Sequence, residues 1–429
     1  SNLPENGSTY TIAEDFVNPN LLFVGTEFGL FFTIDGGNKW VQLKGDFPII
    51  AVRDLEIQKR ENDLVVGTFG RSIYILDDYT PLRELKPEIL EKEFNIFPIK
   101  DALMFLEDGS KEKSGLGETF YRGKNPPFGA IFTYYLKEAY KTKKDLRKEA
   151  ESKAEKEGKD IIYPTFEQLR AEDEEEAPVL IFTITDAAGK IVRKLTESPK
   201  PGINRIAWDL REPDSSPINK NTDINKYSGL PVPPGKYMVS VEKKVDGNTT
   251  RIAEPIEFTT KILNNKTLPA KNPVEQQEFY KKLTKLNQAI TGTNKALEEV
   301  KNRIDLIQKT LLATSGASPD LLKKSKEYEI RANEINIKLN GDESIAKRNA
   351  NQPPSINDRF NAIAYSVYWA TSDITQTAKD SYRIVSEEFK PLLENLRQLS
   401  EVDLKSLEKE MEKLDAPWTP GRIPEWNPE

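Results

Sequence analysis

The stretch LFVGTEFGLFFTIDGGNKW, Leu22 to Trp40, decides how the first part of this chain is read. Leu22 and Val24, then Phe31 and Phe32, are apolar positions on either side of a glycine-containing turn, the pattern of two paired strands. The stretch ends in Thr33-Ile34-Asp35-Gly36-Gly37-Asn38-Lys39-Trp40, which fits Ser/Thr-x-Asp-x-Gly-x-x-Trp. Between two strands, that motif has a mechanical reading. A carboxylate at Asp35 can accept backbone N–H groups across a turn. Gly36 and Gly37 tolerate positive φ, and Trp40 can lay its ring on a neighbouring strand. Thr33, Asp35, Gly37 and Trp40 are therefore expected as a structural turn, with a direct catalytic or ligand role as the alternative.

The stretch has a second copy. LVVGTFGRSIYILDDY (64–79) aligns with LFVGTEFGLFFTIDGG (22–37); Gly25-Thr26 precede Gly67-Thr68, and Asp35 precedes Asp77, by 42 residues. A period near 40 built from short apolar strands is the spacing of propeller blades. TYTIAEDF and AVRDLEIQ supply a first strand for each copy, and WVQLKG a fourth strand for the first copy alone. Two blades cannot close a ring and leave strand edges and apolar faces open. Residues 1–83 are thus expected to be the last blades of an incomplete β-propeller. Its remainder would lie upstream or on a separate polypeptide. The opening SNLPENGSTY has neither Met nor a basic–apolar leader, which suggests a mature or cleaved piece.

The pattern then changes. Residues 84–102 read as a linker. Residues 103–262 carry alternating strands with tight turns at DAAGK and VDGN, the spacing of a small immunoglobulin-like β-sandwich. Trp208 and Tyr237 are its expected core aromatics. Within it, 137–177 is rich in Lys, Glu and Ala and reads as a charged helical hairpin, with Thr165 and Gln168 as a capping box. Residues 272–414 read as a four-helix bundle. Phe279, Leu283, Leu286, Ile290, Leu297, Val300, Ile304, Ile307 and Leu311 form a heptad seam with Thr293 in its one gap. A bend is expected at Pro391, and Tyr365, Tyr368 and Trp369 are read as a core cluster. The tail 415–429, rich in Pro and Trp, is expected to pack back on the protein. The fold class is accordingly multidomain: all-β with a helical insertion, then an all-α bundle.

Composition narrows the chemistry. The chain has 429 residues, a formal net charge of −7, no Cys and no His. Cysteine nucleophiles, disulfides, His-based triads and Cys/His zinc sites are excluded. No cofactor or metal is implied, the acidic balance argues against a nucleic-acid partner, and no apolar run approaches the roughly 18 residues of a membrane span. Arg53 and Arg71 are the blade arginines nearest to strands and the candidate binding residues.

VGTEFGLFFTIDGGNKWVQL and VVGTFGRSIYILDDYTPLREL together resemble the closing blades of bacterial sortilin-like (VPS10-like) Asp-box propeller proteins, often labelled BNR-repeat glycosyl hydrolases. The resemblance continues through FGAIFTYYLK, YPTFEQLRAEDEEEAP, TITDAAGKIVRKL, GINRIAWDLR and PPGKYMVSV and covers nearly the whole chain. The sandwich strands are also similar to the Ig-like domain of flagellar hook-capping proteins. The family often has His where this chain has Phe69. The resemblance implies a secreted, periplasmic or outer-surface bacterial protein with a large propeller, and a possible envelope complex as partner. It does not imply hydrolysis: sialidases use an arginine triad with a Tyr/Glu pair and an acid, and Arg53 with Arg71 is not a triad. Two readings follow: a non-catalytic module binding or scaffolding a protein, peptide or glycan, or the C-terminal support of a sialidase-like glycoside hydrolase whose active site lies in missing upstream blades.

Overall fold

The computed structural model describes residues 2–45, 47–105, 123–214, 216–225, 228–263, 270–368, 370, 372–424 and 426. Contacts divide the chain into two compact units, Ser1–Leu210 with Pro234–Ile262, and Arg211–Pro233 with Leu263–Glu429.

The first unit opens with a four-stranded antiparallel meander in sequence order: β1 (Thr9–Glu14), β2 (Leu22–Thr26), β3 (Gly29–Thr33) and β4 (Val41–Gln42). A three-stranded meander follows, from β5 (Val52–Gln58), β6 (Asp63–Thr68) and β7 (Ile73–Leu76). The two sheets share one core. Leu21, Phe23 and Leu30 of the first meet Val52, Leu55, Ile57, Leu64 and Val66 of the second, with Tyr79 between them. Gly25 is required at this contact. A Cβ there would lie 2.6 Å from Val52 Cγ1 and 2.8 Å from the Val52 carbonyl oxygen. Among the described residues no further meander of this kind follows, and the two do not close a ring.

The internal repeat is offset by one residue partway along. Thr26 pairs with Gly29 across a two-residue loop. Thr68 N–H instead reaches the Ser72 carbonyl at 3.2 Å, across a three-residue loop. The offset is therefore 42 through β2 and β6 but 43 from β3 to β7. Leu30 corresponds to Ile73, and the counterpart of Asp35 is Asp78, not Asp77.

The expected linker is partly structured. After the short helices α1 (Pro81–Glu84) and α2 (Pro87–Glu91), β8 (Phe94–Ile96) and β9 (Ala102–Met104) both enter sheets. The next elements are β10 (Ala130–Leu136), α3 (Lys143–Lys156), α4 (Phe166–Asp173), β11 (Val179–Asp186), β12 (Ile191–Glu197), β13 (Gly202–Trp208), β14 (Arg211–Pro213), β15 (Ser228–Pro231), β16 (Gly235–Val245) and β17 (Asn248–Ile262). A three-stranded sheet, β13-β10-β8, faces a five-stranded one, β12-β11-β16-β17-β9, in which β9 joins β17 in parallel. Aromatic rings fill the space between them: Phe132 meets Phe258 at 5.4 Å and Trp208 meets Tyr237 at 5.3 Å, both edge-on. Gly129 holds φ +109°, and a Cβ there would lie 1.9 Å from the Trp208 carbonyl oxygen, so only glycine fits.

Residues 211–233, expected within the sandwich, belong to the second unit instead. β14 and β15 pair there, and Leu230 packs on the helical core. Helix α5 (Pro273–Ala313) begins at an Asn272 cap and runs 41 residues. All nine apolar members of its seam are buried. Thr293, in the gap, is buried too and returns its hydroxyl to the Ala289 carbonyl at 2.7 Å. Next come α6 (Pro319–Asn340), the short α7 (Glu343–Ala346), α8 (Ile356–Tyr368), α9 (Gln376–Gln398) and α10 (Leu404–Glu412). Helix α9 runs through Pro391, and the irregularity lies later, in a π-turn over Leu399–Asp403. The pattern explains it. Buried Leu392, Leu396 and Leu399 step by four and three, but Leu399 to Leu404 is a step of five. One extra residue must be absorbed for Leu404, Leu407 and Met411 to reach the same core, and a π-turn does that. Tyr365 is exposed, contrary to the expected core cluster; Trp369 and the side chain of Tyr368 lie outside the described residues. In the tail, Ala416 and Thr419 are buried and Arg422 stacks on Trp418 at 4.7 Å, while Ile423 and Trp426 are exposed.

Candidate functional site

The Thr33–Trp40 turn is assembled around Asp35. The Thr33 hydroxyl donates to Asp35 Oδ1 at 2.6 Å, and the same oxygen accepts the N–H groups of Asn38 and Lys39 at 3.0 Å each. Thr33 Oγ1 in turn accepts the Gly37 N–H at 3.2 Å. Gly36 and Gly37 sit at φ +71° and +99°. Trp40 is buried with Val24 and Phe31, and Asn2 pairs with its backbone in both directions, at 2.7 and 2.8 Å. The Lys39 N–H, then the Thr33 hydroxyl, hold the Asp35 carboxyl below its ordinary pKa. An acid so held is not a proton donor near neutral pH, and its Oδ1 is taken up by its own turn.

A second polar group was not singled out from the sequence. Asp15, just after β1, is buried between the two meanders. Its carboxylate accepts the Tyr79 hydroxyl at 2.7 Å, Arg83 Nε at 2.9 Å and Arg83 Nη2 at 2.7 Å. The N–H groups of Val17 and Asn18 complete its shell, and Arg83 also reaches Asn62 Oδ1 at 2.8 Å. Burial pushes the Asp15 carboxyl up, but the bonds from Arg83, Tyr79 and Asn18 outweigh it and leave the pKa lowered. Burial, and then Asp15, raises the Tyr79 phenol. The group ties the β1–β2 connection of the first sheet to the segment that follows β7, the last strand of the second. No motif could have revealed it, because its members lie 64 and 68 residues apart.

Arg53 stacks over Tyr10 at 4.0 Å and lies 5.2 Å from the Phe69 ring. Arg71 is exposed on the β6–β7 loop. The two arginines share no hydrogen-bond or ion-pair partner among the described residues. No group of three or more acidic side chains there is set to hold a metal ion. No helix among them is long and apolar enough to cross a membrane.

Two surfaces remain conspicuous. One is the outer face of the β5–β7 sheet, where Ile73 and Ile75 are 65% and 57% exposed. The other is the tip of the α3–α4 hairpin, where Ile162 and Phe166 are exposed above a groove lined by Arg147, Tyr163 and Glu172. Both hairpin helices start at capping boxes, Thr142 with Asp145 and Thr165 with Gln168. Arg147 clamps them together through a two-point bond to Glu172, at 2.6 and 2.8 Å.

No family model matches the chain, and no curated protein does. Among solved structures it is similar to two of the extracellular domain of BT4673 from B. thetaiotaomicron, at 14% and 13% identity. The matches cover 60% of this chain and 25% and 26% of those chains, with a TM-score of 0.14 in each case. The chain thus spans about a quarter of the structures it matches, and at that TM-score the likeness carries no argument about fold or function.

Proposed function

We propose that this chain is a non-catalytic binding and scaffolding module of a secreted or envelope-facing bacterial propeller protein. In this reading the β1–β4 and β5–β7 meanders are blades continued by the remainder of the propeller. The β-sandwich is immunoglobulin-like, and the helical bundle braces the assembly or docks a protein, peptide or glycan. The observation that carries the reading is the state of Asp35. The one residue whose motif invites a hydrolase label spends its Oδ1 on the Thr33 hydroxyl and the Asn38 and Lys39 N–H groups of its own turn, which favours a structural role over catalysis. The test is a turnover assay of the chain on sialosides and polysaccharides, with release of reducing sugar as the readout. No release above the blank is expected. Turnover that disappears on substitution of Asp35 or another carboxylate would overturn the reading. Glycan-array binding that survives Asp35→Asn would support it.

A further inference from the structure

The two meanders differ in what covers them. On the first, the side of Phe23, Gly25, Leu30 and Phe32 receives the second sheet: Val52 lies on Gly25, and Leu30 is only 2% exposed. The one-residue offset makes Val65, Gly67, Ile73 and Ile75 the counterparts of these four residues. At Gly67, the nearest atoms to an added Cβ belong to Asp54 of the same sheet, from 3.5 Å, and Ile73 and Ile75 are bare. The edge repeats the asymmetry. Leu30 and Phe32 turn their backbones toward β4, through the Leu43 N–H to Leu30 carbonyl bond and the Phe32–Val41 pairing. On β7, Ser72 bonds back toward β6, so by strand alternation Ile73 and Ile75 direct theirs to the open edge.

We propose that the Val65–Gly67–Ile73–Ile75 face is a docking seat for one further antiparallel β-sheet of the same repeat, a proposal that rests on the blade reading above. The occupant places an apolar residue over Gly67, as Val52 lies over Gly25, and apolar side chains on Ile73 and Ile75. The adjacent β5 strand presents exposed Asp54 and Glu56 on this same side, so the incoming sheet is basic at that end.

The test is a methyl-detected NMR titration of the full chain with a synthetic peptide of Pro48–Arg60, the segment that seats on Gly25 in the first sheet. The Ile73 and Ile75 methyl signals should shift while those of Leu30 stay in place. Gly67→Leu and Ile73→Lys, each melting as the unmodified chain does, should weaken binding about tenfold or more. No shift at the two isoleucines under an excess of peptide, or binding indifferent to Gly67→Leu, overturns the proposal. So does a dimer of this chain that Ile73→Lys dissolves, which assigns the face to a second copy. Sugar release is read in a separate assay, so failure of the seat and failure of the non-catalytic reading are distinguishable.

Discussion

Tyr79 donates its hydroxyl hydrogen to Asp15 at 2.7 Å although 64 residues separate them. With Arg83 on the same carboxylate, this bond joins the β1–β2 connection of the first meander to the segment after β7 of the second. Removing Arg83 leaves a buried carboxylate without its counter-charge. Arg83→Ala should therefore destabilise the first unit by about 3 kcal/mol. Tyr79→Phe, which deletes one bond to a charged group, should cost about 1.5–2 kcal/mol. Urea unfolding followed by amide exchange in β2 and β6 measures both, and equal losses would contradict the ranking.

Two carboxylates should carry opposite pH signatures. Asp15 is lowered from its ordinary 3.8, so its contribution is present above that value and lost as pH falls through the folded pKa. The stability gap between the unmodified chain and Asp15→Asn should narrow below about pH 4. Asp77 is raised, by burial first and then by the charge of Asp63, with Arg205 opposing. Its ionised form is penalised in the fold, and protonation relieves the penalty as pH falls. Asp77→Asn should stabilise the protein at pH 7 by about 0.5 kcal/mol, with the gain fading in acid. Unfolding midpoints between pH 3 and 7 read both trends.

The repeated glycines should respond differently. Gly25→Ala forces Val52 away and should separate the first two sheets, costing about 2–3 kcal/mol as an overpacked contact does. Gly67→Ala meets only ordinary contacts and should change stability by less than about 1 kcal/mol. Thermal melts of the two variants suffice; equal losses would show that the seat over Gly67 is already filled.

In the turn, Asp35→Ala should lower the melting temperature without changing the far-ultraviolet spectrum. Thr33→Val removes a buried hydroxyl that both donates and accepts, and should cost about 1 kcal/mol.

In the second unit, Arg303 holds buried Glu408 through two bonds of 2.5 Å and the Ser400 carbonyl of the π-turn at 3.1 Å. Arg331 bonds the Asn395 carbonyl at 3.1 Å and Asp403 at 2.5 Å. Arg303→Leu alone should cost about 3–5 kcal/mol, whereas Arg303→Leu with Glu408→Leu should come close to neutral. A double-mutant cycle measures the coupling. Deleting Ser400 shortens the step from Leu399 to Leu404 to four, so a regular α-helix should replace the π-turn and keep Leu404, Leu407 and Met411 in the core, whereas inserting a residue there should turn them out by about 100° and collapse the cooperative unfolding of the bundle.

The sequence alone determined whatever depends on near neighbours. Thr33, Asp35, Gly36 and Gly37 close their turn through bonds spanning at most four residues. Thr165 and Gln168 cap a helix within three. The seam from Phe279 to Leu311 is written in the period of the helix itself. Even the step of five from Leu399 to Leu404 was legible, although Pro391 drew the expected bend away from it. Only the tertiary structure decided the rest, because those relationships join residues that no local pattern links. A single inserted loop residue moved the counterpart of Asp35 from Asp77 to Asp78. β8 and β9 acquired strand partners from beyond residue 130. Residues 211–233 left the sandwich for the helical core, where Leu230 found apolar neighbours. The pairing of Asp15 with Tyr79 and Arg83 exists only because two sheets pack, and a buried carboxylate is tolerated there only once the fold has brought its donors to it.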